Sequence, residues 1–199
     1  MKVIGLTCNY LPAEKVNHFP GIFLMSDSSL LKDGKPFFVP SFSNEIAIRP
    51  AAVIRIHRLG KNIAKKFANR YYDAVTIGFS LTAEDLKREL AKKRLPADLA
   101  YSFDGSAILG DFVPVEEVGS KPDGIKISIE CENEVVDSFS TKDLNFDFDS
   151  IIEYISKFYT LKIGDIIYTG CSGKSFPVSI NKHYRCMLNG NPVLEFKTK

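Results

Sequence analysis

No apolar run in the chain approaches the ~18–20 residues that a membrane-spanning helix needs, so no membrane partner is expected. The opening Met1-Lys2-Val3-Ile4-Gly5-Leu6 is too short for the core of a secretory signal, and polar Thr7, Cys8, Asn9 and Tyr10 follow it. The four cysteines, Cys8, Cys131, Cys171 and Cys186, form no Cys-x-x-Cys pair and no structural zinc spacing. Reduced thiols in a cytoplasmic protein are the expectation. An excess of one charge is missing too. Lys and Arg number 26 against 24 Asp and Glu, a net charge of +2, which excludes a nucleic-acid binder driven by a concentrated basic face. G-x-S-x-G, the P-loop, G-x-G-x-x-G and His-Glu-x-x-His are all absent. No repeat, low-complexity tract or flexible linker divides the chain, so residues 1–199 are expected to form a single domain.

What is present is globular. Apolar residues make up 45% of the chain, too many for a disordered protein of low net charge. About 70% of the unfolded surface can be buried at this length, so neither a disulfide nor a metal is needed for folding. Residues 2–7, 22–25, 51–59 and 74–81 read as strands, and Ile54 and Ile56 share a face opposite Arg55 and His57. Residues 35–40 are apolar but bounded by Pro36 and Pro40, which suits an edge. Apolar spacing predicts a helix over 61–71 with Ile63, Ala64, Phe67 and Ala68 inward. It predicts a second after Thr82-x-x-Asp85, read as a capping box, and a third over 150–159 facing inward through Ile151, Ile152, Ile155 and Phe158. Residues 125–130 and 135–141 form a hairpin around Glu132-Asn133-Glu134, and Asn189-Gly190 is the strongest turn signal. Many short strands with few helices make a β-rich α+β domain.

The chemistry-bearing residues are sparse. His18, His57 and His183 stand far apart. The acidic groups Glu116-Glu117, Glu130/Glu132/Glu134 and Asp143/Asp147/Asp149 could hold a hard cation. They read better as solvated turns and helix starts, as do Glu84 and Asp85. Thr169-Gly170 ends an apolar strand where backbone could approach a ligand.

Taken in order, a set of short segments is more specific. These are Asn9-Tyr10, Ile22-Phe23-Leu24 with Asp27-Ser28, Pro36-Phe37-Phe38-x-Pro40 and Phe42-Ser43-Asn44. Arg55-Ile56-x-Arg58-Leu59-Gly60-Lys61-Asn62-Ile63 and Phe67-Ala68-x-Arg70-Tyr71-Tyr72-Asp73 follow. Thr82-Ala83-x-Asp85-Leu86, Phe103-Asp104-Gly105-Ser106-Ala107 and Gly164-Asp165 with Thr169-Gly170 complete them. Along nearly its whole length the chain resembles the fumarylacetoacetate hydrolase family. The resemblance implies rolled mixed β-sheets around a central pocket with short flanking helices, and a homodimer or a heterodimer with a related chain. It also implies an ancestral activity in the cytoplasm, in which Mg²⁺ or Mn²⁺ helps to cleave or decarboxylate small β-dicarbonyl acids by stabilising an enolate.

Against the family pattern, the expected Glu-x-Glu falls on Arg49-Pro50-Ala51, and the expected Asp falls on Ser80. A guanidinium at ~4 Å would oppose a divalent ion by several kcal/mol in a partly buried site. The family's pocket lysine corresponds to Tyr101, its Lys-Pro pair to Met25-Ser26, and the second Thr of its Thr-Gly-Thr to Cys171. The lid His and Glu fall on Ala13 and Val16, with Glu14 and His18 close by. Glu45 lies four residues before Arg49, ~13 Å along a strand, too far to replace a ligand.

The expectation is therefore a family member that has lost its metal-dependent chemistry, a pseudoenzyme kept as a binding or structural partner. No catalytic residue, metal ligand or cofactor is assigned. Candidate pocket residues are Asn9, Tyr10, Arg49, Ser80, Tyr101, Thr169, Gly170 and Cys171. Two alternatives stay open. One is an active hydrolase or decarboxylase of acylpyruvate- or oxaloacetate-like acids with relocated ligands. The other is a pocket that binds a small carboxylate through Arg49, with Cys8 and Cys171 as a remoter thiol pair.

Overall fold

The computed structural model of the chain describes residues 1–10, 19–119, 124–170 and 175–199. The strands are β1 (Val3–Thr7), β2 (Gly21–Met25), β3 (Leu30–Leu31), β4 (Ile46–Ile56), β5 (Tyr72–Ala83), β6 (Ala107–Leu109) and β7 (Val113–Pro114). Then come β8 (Lys126–Cys131), β9 (Glu134–Ser140), β10 (Ile166–Tyr168), β11 (Phe176–Pro177), β12 (His183–Leu188) and β13 (Asn191–Lys197). The helices are α1 (Lys65–Ala68), α2 (Glu84–Lys92), α3 (Asp98–Tyr101), α4 (Val115–Val118) and α5 (Phe148–Phe158). This is the strand-rich α+β class that the sequence indicated.

Among the described residues one mixed sheet has nine strands, ordered β2-β1-β10-β4-β5-β6-β3, with β11 also on β4 and β7 also on β5. A second sheet is antiparallel, ordered β13-β12-β8-β9. The long pair β4–β5 is the spine, in register from Ile46 opposite Ala83 to Ile56 opposite Tyr72. Side-chain alternation sends Ile48, Ala52, Ile54, Ile77, Phe79 and Leu81 to one face. There they meet the second sheet and α5 in the main core. The opposite face carries Ala51 and Val53 in a smaller core with Val3, Met25, Ala107, Leu109, Ile166 and Tyr168. The site lies beside this smaller core.

Proline in a central strand needs an explanation, since it cannot donate to a ladder. Pro50 sits between the β10 partners of β4, at Val53–Arg55, and its β11 partners, at Ala47–Ile48. The outer edge of β4 is unpaired there among the described strands. Gly78 is required by contact: a Cβ would lie 2.6 Å from the Tyr168 ring and 2.7 Å from the Ile108 carbonyl.

Two helical expectations fail for local reasons. Over 61–71 only one turn forms, because Asn62 takes a positive φ of 51° and Ile63 donates its N–H to Ser156 Oγ. Ile63 and Ala68 are buried, but Ala64 and Phe67 face solvent. Thr82 caps no helix. It stays in β5, and α2 starts at Glu84 without a side-chain cap. The Asp85 carboxylate instead accepts Ser43 Oγ–H at 2.5 Å, the Asn44 N–H at 2.8 Å and the Leu86 N–H at 2.8 Å. The third helix begins at Phe148, two residues earlier than expected, capped by Asp147, and its Phe158 is exposed.

The Ser43 hydroxyl, with these N–H groups, holds the Asp85 carboxyl below the usual carboxylate range. A lowered folded pKa contributes stability above the unfolded value and loses it as pH falls through the folded one. Urea midpoints should therefore drop as pH falls through and below the ordinary carboxylate range, and drop less steeply in Asp85→Asn. Equal slopes in the two proteins would count against the Asp85 contribution.

Candidate active site

The site starts from register. On the face away from the main core, Arg49 lies directly opposite Ser80, and Ala51 opposite Gly78. The three positions that sequence comparison matched to family carboxylates are thus immediate neighbours across β4 and β5. Here they carry a guanidinium, a methyl and a hydroxyl.

A cavity of about 420 Å³ opens over Arg49, Ser80 and Thr82. The end of β1 supplies Leu6, Thr7 and Cys8, and Tyr10 lies just beyond them on the same cavity. Phe23 leans in from β2 because Gly5 has no side chain: a Cβ there would stand 2.1 Å from the Phe23 ring. Phe23 then meets Tyr101 with ring centroids 4.9 Å apart. Tyr101 is fixed at the end of α3 by the turn that follows, where Ser106 Oγ donates to the Tyr101 carbonyl at 3.0 Å and Gly105 takes a φ of 75°. The Phe103-Asp104-Gly105-Ser106 motif therefore positions a cavity wall.

Charge in the cavity comes from α2. Arg49 Nη2 donates to Glu84 Oε1 at 2.5 Å, and Lys87 Nζ stands 3.7 Å from Glu84 Oε2. Lys87 also lies over the Tyr101 ring, 5.4 Å from its centroid. Two cations thus share one carboxylate at the cavity wall. Sequence reasoning missed Lys87 and read Glu84 as a helix start only. The available signal was Glu84-x-x-Lys87, an i,i+3 pair directly after a strand that also carries Ser80 and Thr82.

Asn9, Thr169 and Gly170 do not line this cavity. Asn9 is fully buried, and its Nδ2 donates to the Thr169 carbonyl at 2.7 Å and the Phe146 carbonyl at 3.2 Å. Its Oδ1 accepts the Phe146 N–H at 2.8 Å. Thr169 is tied to β4 through Oγ1 and N–H, both to the Ala52 carbonyl at 3.0 Å. Gly170, at φ 108°, lets the backbone pass within reach of Asn9, where a Cβ would stand 2.8 Å from the Asn9 Cβ. These family-like residues form a clasp under the site that joins β1, β4, β10 and the loop before α5. Cys171 lies outside the described residues, as do Glu14 and His18. Cys8 is exposed at the cavity with φ 63°, whereas burial pushes the Cys186 thiol up and leaves it a core residue.

Residues 5–197 match the family described as fumarylacetoacetate (FAA) hydrolase C-terminal. The chain belongs to the fumarylacetoacetate hydrolase family. Family relatives include the mitochondrial oxaloacetate tautomerase of Caenorhabditis elegans, 27% identical over 89% of this chain and 78% of that protein. The Bos taurus mitochondrial oxaloacetate tautomerase is 28% identical over 90% of this chain and 81% of its own length. Among solved structures, a fumarylacetoacetate hydrolase family protein from Yersinia pestis is 25% identical, with a TM-score of 0.89 over 100% of this chain and 92% of that one. The fumarylpyruvate hydrolase of Pseudomonas aeruginosa, solved with Mn²⁺ and pyruvate, has a TM-score of 0.89 at 20% identity and covers 100% and 89% of the two chains.

The Pseudomonas structure corrects the expectation of no cofactor: a protein of this fold is solved there with Mn²⁺. The described residues of this chain do not themselves provide a matching ligand set. No group of three or more His, Cys, Asp or Glu is gathered among them. Glu84 is the carboxylate at the Arg49 wall, and it is engaged by two cations. Hard divalent ions take six or more oxygen ligands, more than the described residues of this wall supply. Among the described residues no helix is long and apolar enough to cross a membrane.

Proposed function

We propose that the chain acts on small oxaloacetate- or acylpyruvate-like keto acids in the cavity over Arg49 and Ser80. The expectation of lost activity has no support in the comparisons, because the relatives are named for the reactions they carry out. The observation that carries the reading is a cavity of about 420 Å³ with two cations, Arg49 and Lys87, on its wall. A guanidinium presents paired donors that match a carboxylate in bidentate fashion. Moving a proton between carbon and oxygen of a keto acid, or breaking its C–C bond, builds negative charge on the keto oxygen. Fixed donors aimed at that oxygen lower the barrier. Arg49 would bind and orient the acid. Lys87 and Tyr101 would face the developing enolate, and Phe23 with Leu6 would keep water from it.

Free thiols at Cys8, Cys131 and Cys186 suit a reducing compartment, the cytoplasm of the initial expectation or the mitochondrial interior in which the relatives are named. We retain with this reading the single domain over 1–199 and the dimer that the resemblance implies. Light scattering giving twice the chain mass supports the dimer, and a monomer mass removes it.

The deciding assay follows enol-to-keto conversion of oxaloacetate and loss of an acylpyruvate by ultraviolet absorbance. It is run with Mg²⁺, with Mn²⁺ and with chelator. Saturable acceleration of either reaction supports the proposal. Rates equal to the uncatalysed ones in every arm contradict it.

A further inference from the structure

The geometry points to Glu84 as the internal occupant of a carboxylate-binding site: we propose that a small acid binds by replacing the Glu84 carboxylate between Arg49 and Lys87. The inference rests on the reading that this cavity takes keto acids, and it names the chain's own residues for that task.

Arg49 sits mid-strand in β4, so its backbone is fixed by pairing with β5. Its guanidinium has five N–H donors, and among the described residues a single hydrogen bond, from Nη2 to Glu84 Oε1, engages it. A bidentate partner would use two. Lys87 is held more loosely, with Nζ 3.7 Å from Glu84 Oε2, beyond hydrogen-bond reach. Glu84 opens α2, and its side chain is 23% exposed, so it can turn to water without crossing the core. Partly exposed pairs of this kind contribute little stability, and exchanging one carboxylate for another on the same cations is correspondingly cheap.

Ser80, directly across from Arg49, and Thr82 border the same cavity, and their hydroxyls can donate to an acid seated on Arg49. With Glu84 turned away, the wall presents two cations, which favours a diacid over a monoacid.

Calorimetry with malonate and acetate as probes tests this on the wild type, Glu84→Gln and Arg49→Ala, each first confirmed folded by its melting curve. Expected are malonate binding at least tenfold tighter than acetate, a gain of threefold or more in Glu84→Gln, and a loss of tenfold or more in Arg49→Ala. A role for Glu84 in holding Arg49 in place would instead make Glu84→Gln bind more weakly than wild type, and that result overturns the proposal. Absence of malonate binding in both wild type and Glu84→Gln overturns it as well. Turnover is read separately. Malonate exchange without keto-acid turnover removes the functional reading alone, and turnover with unchanged malonate affinity in both variants removes this inference alone.

Discussion

Arg49→Ala should lower kcat/KM for oxaloacetate about a hundredfold, mainly through a higher KM. Charge-assisted hydrogen bonds are worth roughly 1.5–3 kcal/mol each, and each 1.4 kcal/mol is tenfold. Arg49 lines the cavity, and among the described residues its one hydrogen-bond partner is Glu84 Oε1. Its removal takes away the group that fixes the acid without disturbing the main core, which lies on the other face of β4. Arg49→Lys keeps the charge and loses the planar fork, so it should recover part of the deficit, to about tenfold below wild type. Steady-state kinetics on the three proteins checks both numbers. If Arg49→Ala keeps the wild-type KM, the arginine binds nothing.

Asn9→Ala should destabilise the protein by about 3 kcal/mol, because it strands the buried Thr169 carbonyl and the partly buried Phe146 N–H at once. Nδ2 serves the Thr169 and Phe146 carbonyls, and Oδ1 serves the Phe146 N–H. For a chain of this size the melting temperature should fall by about 10 °C. The clasp lies under the cavity and not in it, so keto-acid KM should move little at temperatures where the variant is folded. Thermal melts and kinetics together separate this from a binding role. A variant with unchanged melting temperature and a raised KM would place Asn9 in the site after all.

These two residues show what the sequence could convey. Strand identity, the hairpin at Asn189-Gly190 and the inward face of β4 follow from alternation and turn chemistry, which are local. The neighbourhood of Arg49, Ala51 and Ser80 was legible because matched motifs fixed the register of two strands, and register places side chains. Asn9 and Thr169 were legible as matched residues but not as a clasp. Their partners, Phe146 and Ala52, are remote in sequence, and no periodicity reports such hydrogen bonds. Lys87 and Glu84 were hidden for the opposite reason. An acid and a base in a first helical turn look like ordinary solvated helix residues until β5 brings that turn to Arg49. Thr82 was misread for a related cause. Thr-x-x-Asp has the form of a capping box, but the strand continues through Thr82, and Asp85 is taken by Ser43 and Asn44 from another segment.

The same distinction explains why the sequence favoured inactivity. Loss of three carboxylates is visible residue by residue, whereas two cations gathered from β4 and α2 become visible only once the fold has joined them. The relatives at 27–28% identity are named as oxaloacetate tautomerases, and the proposed keto-acid chemistry rests on that likeness together with the two cations.

A crystal structure of the protein grown with oxalate, an enolate mimic, and Mn²⁺ tests this account most directly. The account predicts oxalate in the cavity between β4, β5 and α3, with a carboxylate on the Arg49 guanidinium and Glu84 turned away from it. Oxalate bound elsewhere, or seated in that cavity while Arg49 and Glu84 keep their contact, would contradict it.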